Sequence, residues 1–260
     1  MRRAREAFQN SWPTVLTAVV LLGLWEAAIH TFRVPKWFIP APSAVLKDLI
    51  LYEGFYEDAW ITTQEILLGF VIGDILAVAI AVAVVFSKFV QRTLYPIVVF
   101  FQNIPKVTLA PIMLLWFGLG LETKVAIVIL ISFFPVIINT IYGLRSVDPN
   151  LIDLARSVAV SRWMILRKIQ IPHALPYMFE GFKIAMTFSV IGAFVAEWIS
   201  GSNGLGYQIR VASSDMESAA LFGAVAVISV IGVVLYYLVS LAGRKLFPWH
   251  ESAREAGPMV

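Results

Sequence analysis

Very few residues in this chain could carry covalent or metal chemistry. Cysteine is absent, and the three histidines, His30, His173 and His250, are scattered without a paired nucleophile, base or metal-ligand set. No His-Glu-x-x-His motif and no Gly-x-x-x-x-Gly-Lys-Ser/Thr phosphate loop occurs. An intramembrane enzyme is therefore disfavoured, and any ATP used here has to be bound by another chain. The polar residues left to consider stand inside long apolar stretches: Glu65, Asp74, Gln102, Asn103, Lys106, Asn139 and Glu197. A charge held at bilayer depth costs at least about 2.5–3.5 kcal/mol, so each needs a partner or a watery path.

Glu197, in the run AFVAEWISG, has two readings of equal weight. It lines a polar path or braces its outer end, or it is a structural carboxylate tied to a neighbouring helix or the following loop. Gln102 and Asn103 precede Pro105, and Pro111 follows; two prolines in one span free backbone carbonyls, as in broken helices that line cavities. Lys106 is read first as closing a helix-packing network; the alternatives are a pair with Glu197 or Asp74, or a positive surface offered to an anionic solute. Glu65 precedes Gly69 and Asp74 follows Gly73; Gly69, Gly73 and Ala77 form a small-residue stripe that predicts close helix contact. Asn139, one turn after Pro135, faces a pore or makes an interhelical hydrogen bond. Trp116 stacks on an aromatic solute or joins a belt with Trp12, Trp25, Trp37, Trp60, Trp198 and Trp249. Glu26 is read as structural.

The elements that must position these residues are membrane helices. The chain has 260 residues, 59% hydrophobic and 14% charged, with mean hydropathy +0.81. Soluble domains are near half apolar and a quarter charged, so this much apolar surface needs a second apolar solvent. Stretches 125–144 and 218–243 carry no charge at all. Four weaker ones, 12–31, 62–86, 94–117 and 177–200, complete six predicted spans in one all-α membrane domain over 1–260. The basic stretch before the first span raises a signal peptide, but the apolar run is long and five more spans follow it. Of 20 Lys and Arg, 13 fall on the side that holds both termini, which predicts the N- and C-termini inside. The segment 42–58 is too short and charged to span; with Ser43 as N-cap it predicts an outer-surface helix.

The long inside loop, 145–176, is the most informative stretch. Asp148-Pro149 reads as an N-cap and first helical position. Leu151, Leu154, Ala155 and Val158 then make one apolar face. A second short helix begins near Ser161-Arg162 and is expected to stop at Pro172 and Pro176. On physics alone, such a pair is equally an interfacial element on anionic lipid or a docking element for a cytoplasmic partner.

This loop resembles the coupling motif of bacterial ABC-importer permeases: Glu-Ala-Ala, three residues, Gly, nine residues, Ile-x-Leu-Pro. The pattern falls on Asp153-Leu154-Ala155, Ala159, Ile169, Ile171 and Pro172 with every spacing kept. The side chains depart at Asp153, Leu154, Ala159 and Ile171; Ala159 stands where glycine would admit a positive φ freely. Over roughly 38–249 the chain is similar to the nitrate/sulfonate/taurine-type permeases. The matching stretches include Ile104-Pro105-Lys106, Trp116-Phe117-Gly118-Leu119-Gly120, Ala196-Glu197 and Gly204-Leu205-Gly206-Tyr207. The resemblance implies the MetI-like type I importer fold and a bacterial inner-membrane location. It implies that the chain works with a cytoplasmic ATPase, an extracytoplasmic solute-binding protein and a second permease copy, within membrane lipid and without nucleic acid. It assigns ATP to the ATPase, no cofactor to this chain, and to the loop the part that passes ATPase motion to the spans. A stand-alone secondary transporter is disfavoured, since no internal repeat is evident. The C-terminal stretch resembles the riboflavin and thiamine-precursor pyrimidine branch, so the expected solute is a nitrogen heterocycle; the alternative is a small anion such as a sulfonate, taurine or nitrate.

Overall fold

The computed structural model describes residues 2–51 and 54–246; the side chains of residues 2–11 and of Thr14 lie outside that description. The expectations for the charges of Arg2, Arg3, Arg5 and Arg254, and for Trp249 and His250, therefore fall outside the described side chains. Every regular element among the described residues is helical. Helix α1 spans Arg2–Thr31, α2 Pro42–Leu51 and α3 Phe55–Phe86. Helix α4 (Lys88–Gln102) is followed by a 3-10 turn, Lys106–Leu109, and by α5 (Ala110–Phe117). Helix α6 spans Leu121–Arg145, α7 Pro149–Ser157 and α8 Arg162–Ile165. A π turn, Leu166–Gln170, leads into α9 (Ile171–Ser200), and α10 (Leu205–Ser214) and α11 (Ser218–Leu246) complete the chain.

Among the described residues, four helices are long and apolar enough to cross a bilayer: Phe55–Phe86, Leu121–Arg145, Arg162–Ser200 and Ser218–Leu246. A fifth span is formed if α4 and the segment Lys106–Phe117 count together, but they bend by 98° at their junction. The apolar part of α1, Val15–Thr31, is a shorter helix. The expected span over 94–117 is thus a broken one, as its prolines suggested. Its break falls at Asn103–Pro105, where Pro105 adopts an extended ψ of 99° and has no N–H to continue the ladder. Pro111, in contrast, sits harmlessly in the first turn of α5.

Three further boundaries differ from expectation, each for a local reason. The outer-surface helix ends at Leu51, and Phe55–Asp58 open α3, whose first turn places Glu57 and Asp58 at the positive end of the helix dipole. Ser43 does not cap α2. Its N–H and hydroxyl both donate to Glu26, at 3.0 and 2.7 Å, so a carboxylate on α1 holds the start of α2. Pro172 and Pro176 do not stop the second loop helix, which runs without interruption from Arg162 to Ser200. The π turn re-registers the ladder, with Ile171 N–H bonding Leu166 O, so Pro172 sits in the first turn of α9, where a missing N–H costs little.

At the centre, α6 packs between α3 and α9. The small-residue stripe explains the approach: a Cβ on Gly69 would overlap the Val128 side chain, and Ala77 and Ala81 are fully buried on the same face. Further toward the C-terminal end of α6, Phe134, Ile137 and Ile141 pack against Ala77, Ala81, Val84 and Ala185. Outside this core the helices keep large apolar side chains exposed, among them Val71, Ile75, Val230, Val233 and Leu238, as surfaces facing lipid require.

Candidate functional site

Two polar assemblies interrupt the apolar body, one at each end of the central helices. The one at the C-terminal end of α6, on the side expected to be inner, is the hairpin of α7 and α8. Asp148 Oδ1 accepts from Asn150 N at 2.8 Å and starts α7. The helix closes with Ala159 N donating to Arg156 O at 3.0 Å and Val160 N to Ala155 O at 3.1 Å, the bonding pattern of a left-handed C-terminal cap. Ala159 supplies that cap with φ +59°, a conformation glycine adopts without strain. The resemblance motif's turn therefore survives its Gly-to-Ala departure. Ser161 then caps α8, accepting from Met164 N at 3.3 Å.

The two limbs of this hairpin are held differently. The second is fixed to the membrane helices: Ile165 and Leu166 are buried, Leu166 packs with Leu144, Ala174 and Met178, and Gln170 donates to Leu144 O at 3.1 Å. Ile169 is half-buried and Pro172 exposed. On the first limb Ala155 is the one buried side chain, whereas Leu151, Leu154 and Val158 are 45%, 62% and 67% exposed. Asp153 makes an exposed ion pair with Arg156 at 3.1 Å. Arg162 is exposed at the start of α8. Through its second limb the hairpin is continuous with α9, and its first limb bears an apolar face with no partner among the described residues.

The assembly at the opposite end, on the side expected to be outer, is built around Glu197, which is fully buried. It accepts from the Thr62 hydroxyl at 2.7 Å and from Gly206 N at 2.6 Å. Thr62 in turn accepts from Leu205 N at 2.9 Å, and Asp58 accepts from Gly204 N at 2.7 Å and Gln208 Nε2 at 2.9 Å. Three carboxyl or hydroxyl groups thus satisfy the first amides of α10 and pin the glycine-rich loop onto α3 and α9. Gly204 has φ +97°, and a Cβ there would collide with the Glu197 carboxylate. Beside it, Lys124 pairs with Glu65 Oε1 at 2.6 Å and donates to Asn203 Oδ1 at 2.9 Å. Both side chains of that pair are buried, and a cavity of about 380 Å³ opens against them between Gly120 and Ser200–Asn203.

The expected path residues do not gather around Glu197. Gln102 and Asn103 are exposed at the break after α4, with Asn103 donating back to Val99 O at 2.7 Å. Lys106 meets neither Glu197 nor Asp74; its ammonium donates to Gln102 O at 3.0 Å and lies 4.9 Å above the Phe134 ring. Trp116 is exposed near the end of α5. Asn139 donates to Pro135 O of its own helix at 2.8 Å, not across to another. Asp74 is buried with Oδ1 lacking a hydrogen-bond partner. Sequence reasoning missed Asp58, Thr62 and Lys124 as partners of this brace. For Asp58 and Thr62 the signal was the spacing 58, 62 and 65, which places three polar side chains side by side on one face of an apolar helix; Lys124, on α6, carried no such local signal.

Residues 69–249 match the family model described as binding-protein-dependent transport system inner membrane component. The chain is 32% identical to the riboflavin transport system permease protein RibX of Chloroflexus aurantiacus over 96% of each chain. It is 29% identical to the formylaminopyrimidine transport permease protein ThiX of Halalkalibacterium halodurans, covering 96% of this chain and 99% of that one. The putative aliphatic sulfonates transport permease protein SsuC of Bacillus subtilis is also 29% identical, over 92% of this chain and 87% of its own. The structure resembles an inward-facing form of the MetNI methionine ABC transporter with a TM-score of 0.62 at 19% identity, covering 74% of this chain and 94% of that one, which establishes a shared MetI-like fold. With the family model matched over residues 69–249 and a 32%-identical permease relative over 96% of the chain, this chain belongs to the binding-protein-dependent transport inner membrane components and is a non-enzymatic permease subunit of an ABC transporter.

Proposed function

We propose that this chain forms the translocation path of an ATP-driven importer of nitrogen-heterocyclic vitamins or their precursors, the riboflavin or aminopyrimidine class. A cytoplasmic ATPase seats on the α7–α8 hairpin and supplies all nucleotide chemistry; this chain carries no cofactor. Two copies pair around the path, and an extracytoplasmic solute-binding protein delivers solute at the outer face. The fold then has six spans, counting α1 and the bent pair α4–α5, with both termini in the cytoplasm and one domain over 1–260.

The observation that carries this reading is the exposed apolar face of Leu151, Leu154 and Val158 on a stalk rooted in α9. Burying such a face gives a partner about 1.5–3 kcal/mol per side chain, and the stalk converts its movement into displacement of a membrane span. Glu197, braced to the α10 loop, stiffens the outer mouth, while Gln102, Asn103, Trp116 and Asn139 remain the proposed path residues. Co-purification tests the docking: the ATPase should remain bound to the wild-type chain and be lost from Leu154→Glu with Val158→Glu. Retention by that double variant would reject the hairpin as the docking element.

The anion reading is favoured by one observation, the sulfonate-named relative at the same 29% identity as the pyrimidine-named one. Against it, the described cations nearest mid-span are satisfied internally, Lys106 by Gln102 O and Lys183 by Glu180 at 2.6 Å. A thermal-shift screen of the cognate binding protein separates the two: stabilisation by riboflavin or an aminopyrimidine supports the first reading, stabilisation by taurine or an alkanesulfonate the second.

A further inference from the structure

The inner hairpin has a second face. A cavity of about 430 Å³ lies between the α3–α4 turn and the hairpin, walled by Phe86, Ile152 and Ile165 and ringed by Lys88, Arg156 and Arg162. These three cations come from three separate helices, α4, α7 and α8. Lys88 and Arg162 have no acidic partner among the described residues, and Asp153 offsets Arg156 only through an exposed contact at 3.1 Å. Phe86 and Trp163 stack edge-to-face at 6.2 Å beside the opening, both substantially exposed, in the manner of aromatic side chains at a bilayer interface. Phe86 is the last residue of α3, so the cavity sits at the end of a helix long and apolar enough to span a bilayer.

We propose that this cavity binds a phosphate-bearing anion, and that its occupant is the headgroup of an anionic phospholipid from the leaflet on that side. Three cations converging on one cavity, with two of them unpaired, match a phosphodiester; the aromatic pair and the span end match the depth at which a lipid presents it. Binding has a mechanical consequence. Helix α7 buries only Ala155, so its attachment to the membrane helices is slight. One anion shared by Arg156, Arg162 and Lys88 ties α7 to the α3–α4 turn. On a 3.6-residue helix, Ile152 and Arg156 lie roughly 150° around α7 from Leu151, Leu154 and Val158. Lipid and docking partner can therefore occupy the hairpin together, and the lipid sets how stiffly the hairpin passes on a push.

The proposal rests on the orientation given above only for the name of the leaflet; the position of the label in the following experiment does not depend on an ATPase being present. The full chain is reconstituted in phosphatidylcholine nanodiscs carrying a trace of photoactivatable phosphatidylglycerol, and labelled peptides are mapped by mass spectrometry. Label is expected on peptides covering residues 85–90 and 152–165. It should fall about a hundredfold, roughly fivefold per cation, in the Lys88→Gln, Arg156→Gln, Arg162→Gln variant. The variant Arg244→Gln, Lys245→Gln removes two cations from the end of α11 and should change that label less than about twofold. Circular dichroism and gel filtration confirm that both variants fold, as the exposure of the substituted side chains leads one to expect. Equal labelling of wild type and triple variant would overturn the site. Displacement of the label by excess inorganic phosphate, at matched ionic strength in chloride, would overturn the headgroup as its occupant.

Discussion

Replacing Lys124 by methionine is the perturbation that best exposes how the outer brace is held. Lys124 is 7% exposed and Glu65 1%, and their 2.6 Å contact is joined by a 2.9 Å bond from Lys124 to Asn203 Oδ1. Removing the ammonium leaves a buried carboxylate without its counter-charge, and its other oxygen, Oε2, already has no hydrogen-bond partner. Breaking one member of a buried pair costs about 3–5 kcal/mol, whereas replacing both members by apolar groups is often neutral or stabilising. The double variant Lys124→Met, Glu65→Leu should therefore lose only the Asn203 bonds, about 1 kcal/mol. Thermal unfolding in detergent, followed by circular dichroism, reads both. The single variant should melt roughly 10 °C below wild type and the double within about 4 °C of it. A double variant less stable than the single one would refute the reasoning, because the carboxylate would then not be the source of the cost.

Three other substitutions test separate parts of the structure. Ala159→Gly should stabilise the α7–α8 turn by about 1 kcal/mol by relieving the left-handed conformation, read as slower amide exchange over 155–161. Gly204→Ala places a Cβ into the Glu197 carboxylate at a positive φ; it should cost about 2–3 kcal/mol and raise proteolysis of the 201–206 loop. Gly69→Val forces α3 away from Val128 and should cost at least about 1–3 kcal/mol, seen as a lower melting temperature.

How much could be read beforehand depends on the range of the interactions involved. The cap at Asp148, the helix start near Ser161, the apolar face of α7 and the Gly69–Gly73–Ala77 stripe are local patterns, and the structure reproduces each. Local rules failed where a distant group intervened. Ser43 has the chemistry of a cap, but Glu26 on α1 captures both its N–H and its hydroxyl. Pro172 and Pro176 signal a stop, but the π turn and the packing of Leu166 on Leu144 carry the helix through them. Glu197 stood out as a charge in an apolar span. Its partners lay 135 residues away at Thr62 and nine residues away at Gly206, and no spacing rule joins three separate helices. The bend after α4 was legible as two prolines; its angle was not, because that depends on what the freed carbonyls and Lys106 meet.

The central claim is that the α7–α8 hairpin passes ATPase work to the membrane path. Its most direct test is ATP-dependent solute uptake into proteoliposomes holding this chain with its ATPase and binding protein, comparing wild type with the Leu154→Glu, Val158→Glu variant. Uptake by wild type alone, with the variant folded, inserted and inactive, is the predicted result. Undiminished ATP-dependent uptake by the variant, or uptake by this chain without any ATPase, would contradict it.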